Sequence, residues 1–387
     1  MSNGKSLVLT HFNLLTGDVG QHDIEAIAIQ GKRIVSIGSL TEVTTTLPND
    51  HDLIDLQGLT LSPGFIDLQI NGCGGVNLNS AITEQTLDTM HATNLRFGCT
   101  SFLPTLITAS DADIKEAIAV IARYRQIYPE RVPGLHIEGP WLNPDRRGIH
   151  DQSLVRTPTP ELVDYLCEHA EAIAKITLAP EMVEQSVITR LSDAGIIVSI
   201  GHSNATCAQV QDAEQAGARF VTHLHNAMSP LGSREPGVVG ATFDSKQLCA
   251  GIIADGYHLS WENLRIAQRI MGDRLILVSD ATAAAGSDIE QFSFGGQTVY
   301  HRSGKCVGVD GTLGGSALTM EDAGRNAVEH GITPEDAIRM ATRNPAGVLG
   351  LEKELGVIAK GAFANLVILD QDYRVRGTVS GGSLIWN

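Results

Sequence analysis

The sequence lacks any run of about 18 uninterrupted apolar residues, the length that a membrane-spanning helix requires. Its first residues, MSNGKSLVLT, do not have the pattern of a secretory signal peptide. Its 6 cysteines include no C-x-x-C pair and no closely spaced framework, so we expect reduced thiols rather than disulfides. These absences together predict a cytoplasmic protein without a membrane partner.

Positive charge is scarce as well. The chain has 28 lysines and arginines against 44 aspartates and glutamates, which gives a formal net charge of −16. Such an acidic protein is a poor partner for nucleic acid or for an anionic membrane surface. An anionic substrate would therefore need a local basic pocket.

The middle of the chain, residues 58–351, alternates candidate strands with helical stretches. Eight strands in this arrangement are the number that closes a (β/α)8 TIM-like barrel, which is the fold that we predict. An open doubly wound sheet is the alternative, but no candidate strand is followed at once by G-x-G-x-x-G or G-x-x-x-x-G-K-[ST], the ligand signatures of such sheets. The candidate strands span residues 61–70, 99–106, 132–139, 175–181, 195–203, 220–227, 248–256 and 274–281.

The two ends of the chain, residues 1–57 and 352–387, share a pattern of short strands separated by turns. Neither end has enough apolar surface to form a core of its own. We therefore predict that both termini combine in one small β-sandwich domain.

Chemically reactive side chains recur at the predicted carboxyl ends of the strands, where the active site of a barrel lies. Taken singly, each has a structural interpretation, because a strand-end histidine can be a satisfied structural residue and an aspartate before a helix can be its N-cap. Their common location at one barrel mouth favours a functional site. They are Glu138, His202, His223, Asn226, Asp255, His258 and Asp280.

A metal centre is the chemistry that this set suggests. Glu138, His202 and His223 offer oxygen and nitrogen ligands, and three protein ligands plus a water are typical of catalytic zinc. A bound metal lowers the pKa of its water to about 7, and Asp280 could serve as general base and then as acid. We expect one divalent metal, with Zn²⁺ as first candidate and Fe²⁺, Co²⁺ or Mn²⁺ as alternatives that accept similar ligands. His225 lies two residues after His223 and is either a further ligand on the same strand face or a packing residue.

The segment PGFIDLQING raises a separate question. Asp67, Gln69 and Asn71 occupy every second position, and this spacing places them on one face of a strand. Buried polar side chains need hydrogen-bond partners, so the three residues should face other polar groups inside the barrel.

Several motifs, in this order, resemble those of the N-acetylglucosamine-6-phosphate deacetylase family of the amidohydrolase superfamily. The resemblance extends from about residue 55 to residue 350. The motifs are PGFIDLQINGCGG, HIEGPW, GHSNA, THLHNAMSPL, ADGYHL, LVSDAT and DGTLGGSALTM.

The resemblance implies roles for individual residues. Glu138, His202 and His223 match metal ligands, Asp280 matches the catalytic acid/base, and His150 matches a histidine that contacts the substrate and polarises the amide carbonyl. Residues that match substrate contacts are Ile149, His150, Asn226, Ala227, Arg234, Asp255, His258, Leu313, Gly314 and Gly315.

Within this set, Arg234 and His258 match the phosphate contacts, and Arg234 is expected to reach the site of the neighbouring subunit in a homodimer. Residues 313–315 match a loop that closes against the substrate, although the glycine-rich stretch GVDGTLGGS could also be a set of turns before a helix. Many amidohydrolases carry H-x-H where this chain has Gln69 and Asn71. These two residues are therefore expected to fill a vacated second-metal position by hydrogen bonding, as in the single-metal branch of the family.

The predicted reaction is hydrolysis of the N-acetyl group of N-acetyl-D-glucosamine 6-phosphate to D-glucosamine 6-phosphate and acetate. The galactosamine epimer is the nearest alternative substrate. A dihydroorotase-like cyclic amidase usually has a carboxylated lysine on strand 4, but Lys175 lies at the wrong end of that strand. A non-catalytic sugar-phosphate sensor would be favoured by loss of a ligand or of Asp280, and all four residues are present.

Overall fold

A computed structural model of the protein describes residues 6–17, 24–47 and 50–387. The expectation drawn from the N-terminal residues 1–5 lies outside these ranges. Two compact units are distinguished, one of residues 1–67, 94–101 and 320–387, the other of residues 68–93 and 102–319. This partition assigns residues 320–351 to the unit that contains both termini, whereas the sequence places them in the barrel. The domain boundaries stay a prediction.

Eight parallel strands follow one another in chain order within a single sheet. The last strand returns to the first through a parallel bridge between Ile70 and Ala281. Hydrogen bonds from Asp280 N to Gln69 O (2.9 Å) and from Asn71 N to Ala281 O (2.8 Å) close the ring. The predicted barrel is confirmed, and the open doubly wound alternative is wrong. The strands are Phe65–Ile70, Cys99–Ile107, Leu135–Glu138, Ile173–Leu178, Ile197–Ile200, Phe220–Val221, Cys249–Ile252 and Leu275–Leu277.

Helices separate most of these strands, and several begin at a polar cap. Ser110 accepts the backbone N–H of Asp113, while Thr206 and Gln209 form a reciprocal capping box. Such caps satisfy backbone donors that have no partner inside the helix. The helices are Glu84–Leu95, Asp111–Ile127, Pro160–Glu168, Gln185–Asp193, Cys207–Gln215, Gly237–Asp244 and Trp261–Met271.

An antiparallel sheet that we did not predict follows the eighth barrel strand. Its buried residues Phe294 and Val299 pack with Ile107 and Ile149 in a small apolar cluster. The glycine-rich stretch 308–316 is therefore more than a set of turns, because it supplies the last strand of this sheet. The strands are Gln291–Phe294, Gln297–Arg302, Lys305–Gly308 and Leu313–Ser316.

The unit that contains both termini has two further sheets. One has four N-terminal strands, and the other has five strands, in which Thr60–Pro63 pairs antiparallel with Leu366–Leu369. Leu9, Ile29 and Leu366, taken from both sheets, belong to one buried apolar cluster, so the predicted β-sandwich is confirmed. The strands are Ser6–Thr10, Asn13–Leu14, Ala26–Gln30, Arg33–Gly38, His51–Asp55, Thr60–Pro63, Leu366–Leu369, Val375–Ser380 and Ser383–Trp386, and the helices are Leu40–Thr45, Met320–Glu329, Pro334–Ala341 and Arg343–Val348.

Within the described ranges, no helix has both the length and the apolar character that crossing a bilayer demands. The cysteines are free thiols. The cytoplasmic location stays a prediction.

The sandwich core gives a stability prediction. Leu366→Ala should lower the free energy of unfolding by about 2–5 kcal/mol, because it leaves a cavity among fully buried side chains. Chemical denaturation followed by circular dichroism measures this change. Leu53→Ala is the matched control, because Leu53 is 54% exposed, and it should change stability by about 0.5 kcal/mol or less. Equal losses in the two variants would contradict the assignment of this core.

Candidate active site

A cavity of about 340 Å³ lies at the carboxyl ends of the barrel strands. It collects most of the residues that the sequence singled out. Those that line it are Asn71, Glu138, Ile149, His150, His202, His223, Asn226, Ala227, His258, Asp280, Leu313 and Gly315. Gly314 lies behind the lining, where an added Cβ would meet Ile149 and Val299.

Three of these side chains converge on one point of the cavity. Glu138 is the last residue of the third barrel strand, and His202 and His223 follow the fifth and sixth strands. Glu138 Oε1 lies 3.2 Å from His202 Nε2 and 3.1 Å from His223 Nε2, and the two imidazole nitrogens are 3.1 Å apart. All three residues are buried, so the cluster is a candidate metal centre.

The donor atoms of this cluster fit a divalent metal. His202 Nδ1 lies 2.8 Å from the Arg146 carbonyl, which can only accept a hydrogen bond. The proton therefore sits on Nδ1, and Nε2 offers its lone pair to the centre. Ligand atoms at the usual bond lengths around a tetrahedral zinc are about 3.3 Å from one another, close to the separations seen here. Two imidazoles and one carboxylate also form a ligand set that catalytic zinc uses.

The charge state of the carboxylate agrees with this role. Burial opposes ionisation of Glu138, but the His202 and His223 imidazoles beside it hold the pKa of Glu138 well below its usual value. Burial opposes protonation of His223, yet the adjacent Glu138 carboxylate raises the pKa of His223. The lowered pKa favours the anionic form of Glu138, the form that a candidate metal ligand requires.

Asp280 lines the same cavity and follows the eighth strand. Gln69 Nε2 donates to Glu138 Oε1 (3.2 Å) and to Asp280 Oδ1 (3.1 Å), and Asn71 Nδ2 donates to the same Asp280 oxygen (2.9 Å). Burial, followed by the charge of Glu138, raises the pKa of Asp280. A carboxyl group with a raised pKa can accept a proton and return it. Asp67 is fully buried on the first barrel strand, which also carries Gln69, and its role stays a prediction.

His150 is held in one tautomer. The backbone N–H of Thr108 donates to His150 Nδ1 (3.3 Å), so that nitrogen carries a lone pair and the proton resides on Nε2. Burial, and then the nearby His202, lowers the pKa of His150 to about 3, which keeps the ring neutral near pH 7. Its ring centroid lies 4.5 Å from that of His202. His150 can therefore present an N–H donor to a group bound in the cavity.

The two residues expected at the phosphate differ in location. His258 lines the cavity, and its Nδ1 lies 2.6 Å from Asp255 Oδ2. Asp255 does not line the cavity, and it also accepts the backbone N–H groups of Tyr257 and His258 (2.8 Å each). Arg234 is exposed and does not line this cavity.

The expectation that His223 and His225 point to the same side of a strand is wrong. The sixth strand ends at Val221, and both histidines follow it with left-handed backbone, at φ of 31° and 80°. The turn directs the half-buried His225 against Phe243, with ring centroids 5.9 Å apart. His225 is not part of the metal cluster.

Left-handed backbone also recurs at other residues of the site. His202 and Asp280 have φ of 49° and 48°, which side chains with a Cβ rarely adopt. Ala227, which lines the cavity, has φ of 49°. Such conformations persist only where surrounding contacts hold them, and they cluster at functional sites.

Some cavity residues were missed by the sequence analysis. Phe294 ends the first strand of the unpredicted antiparallel sheet, Thr312 immediately precedes its last strand, and Ile107 ends the second barrel strand. Detection of Phe294 and Thr312 would have required recognising the short strands that flank the Gly295–Gly296 and Ser303–Gly304 turns, and the strand that begins at Leu313. The others lie in or just before the motif GIHDQ, which begins at Gly148 and contains His150. Asp145 and Arg146 could have been found by extending this motif toward the N-terminus.

A polar layer lies beneath the metal cluster. The Thr105 hydroxyl donates to the Leu103 carbonyl (3.2 Å), so it accepts from His136 Nδ1 (3.1 Å). His136 Nε2 must then accept from the Thr177 hydroxyl (2.7 Å). Burial is the largest cause that holds the pKa of His136 well below its usual value, in keeping with this neutral ring.

The same chain of hydrogen bonds continues across the barrel. Thr177 accepts from Thr222 (2.7 Å), and Thr222 accepts from Ser199 (2.5 Å). Ser199 lies three residues before His202, and Thr222 immediately precedes His223. The network thus ties together the strands that carry the candidate ligands.

Comparison with known proteins agrees with this architecture. Residues 60–385 match the model of the amidohydrolase family, so the chain belongs to that family.

The chain is similar over most of its length to amino-sugar phosphate deacetylases. The N-acetylglucosamine-6-phosphate deacetylase of Haemophilus influenzae is 45% identical over 361 residues, which cover 92% of this chain and 93% of the relative. An N-acetylgalactosamine-6-phosphate deacetylase of a Shewanella species is 38% identical, covering 96% of this chain and 94% of that protein. The crystal structure of N-acetylglucosamine-6-phosphate deacetylase from Pasteurella multocida superimposes with a TM-score of 0.94 at 43% identity, covering 99% of this chain and 100% of that one.

The polar layer gives a second stability prediction. Thr222→Val should lower the free energy of unfolding by about 1–3 kcal/mol, because Ser199 loses its acceptor and Thr177 loses its donor inside the barrel. Thermal unfolding measures the change. Thr242→Val is the control, because the fully buried Thr242 donates only to the Val238 carbonyl of its own helix (2.7 Å). If the control lost as much stability as Thr222→Val, the network would contribute no more to the free energy of unfolding than a single hydrogen bond within a helix.

Proposed function

We propose that the protein hydrolyses the N-acetyl group of N-acetyl-D-glucosamine 6-phosphate and releases D-glucosamine 6-phosphate and acetate, in amino-sugar catabolism or recycling. The observation that carries this proposal is the convergence of Glu138, His202, His223 and Asp280 within one cavity. The substrate class is taken from the deacetylase relatives, which align with nearly the whole chain.

The metal is proposed to be one divalent ion per chain, with Zn²⁺ as first candidate and Fe²⁺, Co²⁺ or Mn²⁺ as alternatives. Glu138, His202 and His223 would hold it, and when bound it supplies Lewis acidity and a water of lowered pKa. Gln69 and Asn71 are proposed to replace the histidines that bind a second metal elsewhere in the superfamily. Their amides already donate to the two carboxylates, which supports a hydrogen-bonding role.

Asp280 is proposed to move the proton. Its raised pKa suits a base that takes a proton from the attacking water and returns it to the departing nitrogen as the amide C–N bond breaks. The amides of Gln69 and Asn71 hold one carboxylate oxygen, Oδ1, so the carboxylate keeps a fixed orientation. The products are acetate and the free amine.

His150 is proposed to stabilise the negative charge that develops on the carbonyl oxygen. Its Nε2–H is available because Nδ1 accepts from Thr108. A neutral donor fixed before the reaction stabilises an oxyanion without reorganisation at that moment.

The sugar phosphate is proposed to contact Asn226, Ala227, His258 and the residues 313–315. Arg234 would serve the neighbouring subunit of a homodimer. Two facts support this assignment, namely that Arg234 is exposed and that it does not line the cavity of its own chain. A guanidinium is well suited to a phosphate because it can donate two parallel hydrogen bonds.

The galactosamine epimer is a second candidate substrate, favoured by the Shewanella relative. Acetate release from both epimeric 6-phosphates tests the choice. We expect kcat/KM for the glucosamine epimer to be larger by about tenfold or more, since a site that hydrogen-bonds one hydroxyl arrangement discriminates against the other. A preference for the galactosamine epimer would replace the proposed substrate, and no acetate from either would reject the proposed reaction.

Asp280→Asn should reduce kcat by about 10²–10⁴-fold, because the amide cannot accept the proton. Steady-state assays with the metal-loaded protein measure this loss. Asp310→Asn is the matched control, because its exposed carboxylate bonds only to Thr312 within its own turn among the described residues. If Asp280→Asn kept more than a few per cent of the wild-type kcat, another residue would be the acid/base.

Metal content gives an independent prediction. The purified protein should bind one tightly held divalent equivalent per chain, and exhaustive chelation should abolish acetate release until a divalent metal is restored. Elemental analysis and reconstitution measure both effects. Two tightly bound equivalents would contradict the role of Gln69 and Asn71, and activity unaffected by chelation would contradict the metal site itself.

A further inference from the structure

Glu181 lies close to the site, yet the proposed reaction gives it no role. It belongs to the short turn Pro180–Met182 that follows the fourth barrel strand, Ile173–Leu178. It does not line the cavity and is not one of the clustered metal-binding residues. Its carboxylate is directed instead to the two loops beside His202.

Both oxygens of Glu181 accept hydrogen bonds from these loops. Oε1 accepts from Asn143 Nδ2 (2.9 Å) and from the backbone N–H of Asn204 (2.6 Å), and Oε2 accepts from the Ser203 hydroxyl (2.6 Å). Ser203 is fully buried, and its oxygen also accepts the N–H of Ala205 (2.9 Å). One carboxylate therefore joins the loop after the third strand to the loop after the fifth.

These two loops fix His202 at its backbone and at its ring. The Asn143 N–H donates to the His202 carbonyl (2.9 Å), and His202 Nδ1 donates to the Arg146 carbonyl (2.8 Å). The Arg146 side chain in turn bonds to Asn204. The carbonyl that sets the His202 tautomer therefore belongs to a loop that Glu181 holds.

The local backbone of His202 makes such support necessary. Its φ of 49° lies in the left-handed region, which costs a residue with a Cβ about 1–2 kcal/mol relative to right-handed backbone and is retained where surrounding contacts hold it. The next two residues, Ser203 and Asn204, are the ones that Glu181 binds. A simple turn cap would engage only its own loop, whereas Glu181 reaches both loops around the histidine.

We propose that Glu181 is a positioning residue that orients His202 Nε2 toward the metal without contacting the metal itself. This inference rests on the metal site given under the proposed function. Partners that orient ligating histidines contribute strongly to metal affinity. The expected consequence of losing Glu181 is weaker metal binding, with a smaller effect on substrate affinity once the metal is saturating.

The test compares Glu181→Ala, Glu181→Gln and Glu184→Ala in the full-length protein. Zn²⁺ affinity is measured by chelator competition without substrate, and the visible spectrum of the Co²⁺-loaded protein reports the ligand geometry. Glu181→Ala should weaken Zn²⁺ binding by about 10–100-fold and alter the Co²⁺ spectrum. Glu181→Gln should have a smaller effect, because its amide oxygen can still accept from Asn143 and Asn204.

Glu184→Ala is the matched control, because Glu184 is exposed three residues further along and makes no side-chain cap. It should leave both readouts unchanged. With saturating metal, Glu181→Ala should recover part of its kcat and keep its KM within about threefold of wild type.

Unchanged Zn²⁺ affinity and Co²⁺ spectrum in Glu181→Ala would overturn the inference, whatever happens to activity. So would an equal loss of Zn²⁺ affinity in Glu184→Ala, since the effect would then reflect charge alone. Circular dichroism of the metal-free variants verifies that they are folded, and an unfolded Glu181→Ala makes Glu181→Gln the deciding variant. Because metal binding is measured without substrate, a failure of the proposed deacetylation would not be mistaken for a failure of this inference.

Discussion

The site depends on a backbone constraint, since the chain enters the left-handed region within three residues after the ends of three barrel strands. His202, His223 and Asp280 all adopt it, and each such residue costs about 1–2 kcal/mol relative to right-handed backbone. The three together cost about 3–6 kcal/mol, which is comparable with the lower end of the net stability of proteins, about 5–15 kcal/mol. The surrounding hydrogen bonds must offset that cost. The ring closure beside Asp280 and the polar layer before His202 and His223 are placed where this support is required.

The second constraint is the burial of two carboxylates in one cavity. Glu138 and Asp280 repel each other, and the amide of Gln69 lies between them and donates to both. A neutral amide can do this at any pH at which the protein folds, whereas a histidine would donate or bind metal according to its protonation. The amide of Gln69 on this strand therefore bridges the proposed metal-binding carboxylate and the proposed proton-transferring one. The two carboxyl groups also have opposite pKa shifts, because the His202 and His223 imidazoles lower the pKa of Glu138, whereas burial and then the charge of Glu138 raise the pKa of Asp280.

The barrel and the main site residues could be predicted because both depend on local patterns. Parallel strands are continuous apolar runs, and reactive residues at their carboxyl ends must meet at one mouth. The direction of the His225 side chain could not be predicted in this way, because the sixth strand ends at Val221 and the alternation of side chains ends there. Likewise, the antiparallel sheet at 291–316 has short, half-exposed strands with weak patterns. Glu181 was missed because its partners, Asn143 and Asn204, are distant in sequence and only the fold brings them together.

Charge balance gives a physical reason for the proposed contribution of a neighbouring subunit. The protein has a net charge of −16, and its cavity is lined by the carboxylates of Asp145, Glu138 and Asp280. Apart from His150 and the two candidate histidine ligands, the basic residues that line the cavity are Arg146 and His258. His258 is already paired with the carboxylate of Asp255. One chain therefore offers little positive charge to balance an anionic sugar phosphate. An exposed arginine such as Arg234, brought in by a second copy, would place a guanidinium where a single chain has few cations, and assembly would then be part of substrate recognition.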